Sequence, residues 1–160
     1  MSIASNKVVP EDMRTSIIRV YNYQDKNLQG TFCNPCQDTE VVFTNLTQLL
    51  LGMENLMDKM DCPQPATRSR RFKSVLNHVE RASVEEQLQL RPDQEILATF
   101  KVKVLFRQGA SWQGRLGLAE SGEEVSFRSV LELVKLIDSA LSSSEAALEE
   151  TNSSQSVTAG

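Results

Sequence analysis

Histidine occurs once in the 160 residues, as His78. A hydrolase of the serine or cysteine kind needs an imidazole base beside its nucleophile and a third group to orient it. With one histidine and no orienting carboxylate indicated, that chemistry has little to build on. Cysteine occurs three times, and an odd count does not make the paired framework of a small secreted domain. A reducing cytoplasm is the expected setting. Long apolar runs are missing: the densest, Leu49-Leu50-Leu51, is far too short to cross a bilayer. The N-terminus lacks the continuous apolar stretch of a secretory signal, so no membrane partner is expected. The formal net charge of −4 supplies no global basic field to attract nucleic acid. No phosphate-cradling glycine loop and no metalloprotease helix appears.

What the chain does contain is a repeat. Residues 17–57 align without gaps on residues 101–141 at an offset of 84, with eight identities in 41 positions. Chance matching at roughly one position in sixteen would give about two or three. The identities include Val20/Val104, Gln29/Gln113, Gly30/Gly114, Glu40/Glu124 and Phe43/Phe127. Residue types agree elsewhere too, as in Ile18/Val102, Leu28/Trp112 and Met53/Ile137. Asn45 with Gln48, and Ser129 with Glu132, each have a capping-box spacing, which satisfies two orphan N–H groups at a helix start.

After those caps the apolar residues follow a helical stripe: Leu46, Leu49, Leu50, Met53, Leu56, Met57 and Met60, then Val130, Leu133, Val134, Ile137 and Leu141. Before the caps the period is two. Phe100, Val102, Val104 and Phe106 alternate with Lys101, Lys103, Leu105 and Arg107, as in a sheet with one face on the core and one wet. The pattern predicts an α+β fold: two tandem β-β-β-α units, an internal duplication at offset 84, forming a pseudo-symmetric two-layer domain. The expected divisions are an arm over 1–15, a first unit over 16–60, a second over 99–142 and a disordered tail over 143–160. A basic connector spans 61–98, part helical through Val75, Leu76, Val79 and Val84. Each unit is too small to stand alone. The two are expected to join edge to edge into one sheet, or to pack helix against helix.

The stretches IIRVYNYQDKNLQGTFCNP, TNLTQLLLGMENLMDKM and FRQGASWQGRLGLAESGEEVSFRSVLELVKLIDSAL resemble small hypothetical proteins of anaerobic gut clostridia. The likeness covers about two thirds of the chain. It implies a bacterial, cytoplasmic setting and carries no activity, cofactor or catalytic residue with it.

Three constellations can be weighed for chemistry. Cys33 and Cys36, with Cys62 and His78, have the ligand count of a Cys3His zinc set. The later spacings fit no compact knuckle, and the matching positions in the second unit are Gly117 and Glu120. A redox pair is also disfavoured, because this Cys-x-x-Cys lies in a hairpin rather than opening a helix. Gly109-Ala110-Ser111-Trp112-Gln113-Gly114 imitates a nucleophile elbow, but its second glycine is a residue too far along and a strand follows. The third is basic: Lys101, Lys103, Arg107 and Arg115 on the outward phase of the second unit, and Arg68, Arg70, Arg71 and Lys73 in the connector. Such clusters follow a phosphate backbone or an acidic partner. Trp112 falls on the apolar phase, which leaves no evident aromatic platform for bases. A double-stranded RNA-binding domain is disfavoured too, since no lysine cluster opens the second helix.

The expectation is a non-enzymatic module that binds another protein and needs no cofactor. A nucleic-acid accessory role through the basic sheet face comes second, and a zinc or redox role third.

Overall fold

A computed structural model describes residues 11–37, 39–73 and 94–153, with side chains described as far as Ser142. The elements run β1 (Thr15–Asn22), β2 (Gln29–Cys33), β3 (Glu40–Phe43), α1 (Leu46–Met60), β4 (Ala98–Phe106), β5 (Gln113–Leu118), β6 (Glu124–Phe127) and α2 (Val130–Ser153). Short 3-10 turns precede β1 at Glu11–Arg14 and follow it at Gln24–Lys26. The order β-β-β-α thus occurs twice. The six strands form one antiparallel sheet in the order β3-β2-β1-β4-β5-β6. Of the two expected ways of joining, the structure adopts the edge-to-edge one. β1 and β4 pair from Thr15↔Lys103 to Val20↔Ala98.

Alternation sorts the side chains. Ile18, Phe32, Phe43, Phe100, Val102, Leu116 and Phe127 point to one face, where Leu49, Met53 and Met57 of α1 and Leu133, Ile137 and Leu141 of α2 join them in a single buried cluster. Both helices therefore cover the same side of the sheet. Their starts are fixed locally. The Asn45 side chain accepts from the Gln48 N–H at 2.9 Å, and the Ser129 hydroxyl from the Glu132 N–H at 3.1 Å. The reciprocal bonds reach one residue further back than a standard capping box, to the N–H of Thr44 and of Arg128.

Two glycines let the sheet close up. Gly30 faces Phe43 and Gly114 faces Phe127 across the strand pairs. At each, an added Cβ would fall 1.9 Å from a backbone oxygen, of Arg19 and of Lys103 respectively, with a Phe ring 3.1 Å away. Aromatic rings laid over strand glycines are a known way to fill the missing side chain.

Two expectations need correction. The alternation of β4 does not run through Arg107. The ladder slips between Val104 and Phe106, and a β-bulge of this kind turns the following side chains over. Phe106 faces outward, 55% exposed, and Arg107 is 3% exposed. The same slip separates Val20 from Asn22 in β1. After it the two hairpins turn through matching left-handed pairs, Asp25 and Lys26 in one, Gly109 and Ala110 in the other. The second correction concerns the tail: α2 continues as helix to Ser153 instead of ending near 142. The helix expected from Val75, Leu76, Val79 and Val84 lies outside the described residues, as does His78.

Candidate functional site

The uncovered face of the sheet carries Lys101, Lys103 and Arg115, as expected, together with Arg19. Lys103 stands directly opposite Arg115, and Lys101 opposite Gly117. Most of this charge is answered within the chain. Lys103 pairs with Glu11 at 2.6 Å, Arg115 with Glu124 at 3.1 Å, and Arg19 with Glu40 at 2.8 Å. Glu40 also accepts from the Thr31 hydroxyl at 2.6 Å. The hydrogen bond from Lys103, and then its charge, hold the Glu11 carboxyl below the usual carboxylate range. Exposed pairs of this kind add little stability, but they leave a nearly neutral surface. Lys101 alone makes no hydrogen bond or close ion pair among the described residues, though its charge also acts on Glu11.

Arg107 belongs to a different place. The bulge drives it beneath α1, where Nη1 donates to Asp58 at 2.6 Å and to Glu54 at 3.1 Å, while Nε donates to the Pro63 carbonyl at 2.6 Å. Glu54 and Asp58 are one helical turn apart, so both reach the same cation. Glu54 accepts in addition from the Trp112 indole N–H at 2.6 Å. The remaining guanidinium nitrogen, Nη2, is buried with no acceptor among the described residues.

A strap follows α1 and lies against this cluster. Pro65 bridges to Arg107, and the Ala66 N–H donates to the Arg107 carbonyl at 2.9 Å. Between strap, helix and the β4–β5 turn lies a cleft of about 210 Å³, lined by Leu50, Leu51, Thr67, Ser69, Trp112 and Val130 among others, with Arg107 and Glu54 in its wall. Beyond Ser69 the strap carries the remaining basic candidates. Arg68, Arg70, Arg71 and Lys73 are all exposed and make no hydrogen bond or ion pair among the described residues. Phe72 among them is 96% exposed.

A second cleft, of about 350 Å³, occupies the corresponding place under α2, between Tyr23, Leu28, Leu46, Val134 and Ile137. All of these positions but Ile137 match one of the first cleft at the 84-residue offset. Asp138 takes the place of Glu54. It accepts from the Tyr23 hydroxyl and from Lys26 at 2.6 Å, and these bonds, Lys26 first, draw its carboxyl below the usual range.

The cysteines are not gathered. Cys33 is half-buried on the uncovered face, where its sulfur accepts from Arg19 at 3.9 Å; Cys36 is exposed and Cys62 buried. Among the described residues no three ligating side chains come together. The Ser111 hydroxyl accepts from the Val130 N–H at 3.0 Å, at the start of α2, and so braces the helix. No helix among the described residues is long and apolar enough to cross a membrane.

Sequence reasoning placed Arg107 with the wrong group and missed Glu54 and Asp58. A signal was present. At the offset of 84, Phe106 and Arg107 match Asn22 and Tyr23, an inverted polarity that points to a phase change before both pairs. No family model, curated protein or solved structure matches the chain.

Proposed function

We propose that this is a non-catalytic protein-interaction module of the bacterial cytoplasm, built from two copies of one duplicated β-β-β-α unit. The matched bulges, left-handed turns, glycine–phenylalanine pairs and caps at one constant offset support the duplication. Three free thiols suit a reducing compartment.

One observation carries the functional reading. The cations of the sheet face are mostly held in internal ion pairs, whereas the four on the strap have no ion pair among the described residues and follow a cleft with an apolar wall. Unanswered charge around an apolar pocket is the arrangement of an interface, with an anchor in the middle and a polar rim. The test is photo-cross-linking in the native cell, with a benzophenone side chain at Ser69 or at Lys101. Protein adducts from position 69 and few from position 101 are expected. Nucleic-acid adducts at either position, or none at all, would defeat the reading.

A further inference from the structure

The two clefts share an origin in the fold but differ in chemistry. Where the second presents Lys135 at its mouth, the first presents Leu51, 61% exposed. Leu51 stands beside Leu50, Trp112 and Val130, so one wall of the first cleft is apolar out to the surface. Its volume, about 210 Å³, is somewhat more than the roughly 150 Å³ cavity that accepts a benzene ring. It can take one aliphatic or aromatic side chain. The only acids in its neighbourhood that the structure identifies, Glu54 and Asp58, are already bound to Arg107.

The lip is basic. Thr67 and Ser69 line the cleft, and Arg68 and Arg70 are their immediate neighbours in the chain, with Arg71 and Lys73 just beyond. Four adjacent cations on a chain whose net charge is −4 are a local feature and not a general stickiness. They call for an anionic partner at short range, since exposed charges are screened beyond about 8 Å at physiological salt.

Resting on the interaction-module reading above, we propose that this cleft receives one apolar side chain from an acidic segment of another protein. Carboxylates on either side of that anchor face Arg68, Arg70, Arg71 and Lys73. The buried Arg107 Nη2, a donor lacking an acceptor among the described residues, is completed by a main-chain carbonyl of the segment as the strap shifts to admit it; an unmet buried donor is costly. A nucleic acid fits less well. The Trp112 ring is buried and offers no face to a base, and the cleft accepts a side chain and not a strand; the exposed Phe72 among the strap cations is the one ring there that a base could reach, so oligothymidylate is the competing probe.

The experiment uses the full chain labelled with ¹⁵N. The probe is a short blocked peptide with one central leucine flanked on both sides by glutamates. Expected are shifts of the Trp112 indole and of the Leu51, Ser69 and Ser111 amides, with a dissociation constant of about 0.1–1 mM. Replacing the leucine by serine, or the glutamates by glutamine, should weaken binding at least about tenfold. Leu51→Lys, and Arg70→Glu with Arg71→Glu, should do the same with amide dispersion intact, since all three residues are exposed. Equal binding by the serine or glutamine peptide overturns the proposal. So does the absence of binding; if position 69 still cross-links to protein, the module reading survives and only the partner chemistry falls. Tighter binding of oligothymidylate at the strap would overturn both.

Discussion

The carbonyl oxygen of Arg19 lies 1.9 Å from where a Cβ on Gly30 would stand, and Lys103 and Gly114 repeat the relationship. No side chain fits there without moving the neighbouring strand. Gly30→Ala and Gly114→Ala should each cost about 3 kcal/mol, the upper end of the range for overpacking changes. Gly117 is the control. A Cβ there would meet only ordinary contacts beyond 3.7 Å, so Gly117→Ala should shift stability by about 0.5 kcal/mol or less. Urea unfolding followed by circular dichroism measures all three.

Arg107 separates structural cations from surface ones. Replacing it by alanine strands Glu54 and Asp58 and removes the bond to the Pro63 carbonyl. Breaking a fully buried pair costs about 3–5 kcal/mol. Because both acids are partly exposed, about 2–3 kcal/mol is expected here. Lys101→Ala should stay within about 0.5 kcal/mol. Equal midpoints for the two variants in urea would contradict the burial of Arg107.

Asp138 ties α2 to the β1–β2 turn, and its carboxyl is drawn below the ordinary range by Lys26 and then Tyr23. A carboxyl depressed in the folded state binds protons more readily when unfolded. Its stabilisation is complete above the ordinary carboxylate pKa and is lost as pH falls through the folded value. Asp138→Asn should therefore flatten the acid limb of a plot of Tm against pH and leave the neutral limb parallel. A carbon-detected titration of the wild-type side chain should give a midpoint below that of a model peptide.

The halves should not fold apart. β1 and β4 pair with each other at the centre of the sheet, and one buried cluster draws on both helices. Cut after residue 63 and before residue 95, each fragment would expose one of these strands and half of that cluster. Amide dispersion is expected to be poor for either fragment and to recover on mixing. Two well-dispersed fragments that ignore each other would refute this.

Short-range signals were the legible ones. Asn45 and Ser129 mark helix starts because cap chemistry acts over three residues. The core phase of Ile18, Val102 and Phe127 is readable because strand alternation is local. What escaped was the phase change at Val104/Phe106, since one extra residue in a ladder is set by the partner strand and not by the residues beside it. Glu54 and Asp58 escaped for a related reason. They lie on the first helix, far along the chain from Arg107, and only the folded sheet brings them to it. The seam itself was not decidable beforehand, because two half-sheets can meet at an edge or through their helices with the same sequence pattern.

The antiparallel seam has a consequence for how the molecule breathes. Among the described residues, β1 and β4 are the only strands flanked by two strands that are themselves flanked, while β3 and β6 are four-residue borders with a strand on one side alone. Opening begins where least is lost. Heavy water should thus label β3 and β6 first and the amides of the β1–β4 ladder last. The slowest-exchanging part of the protein is then the joint between its halves, so the borders can loosen in turn while the joint holds.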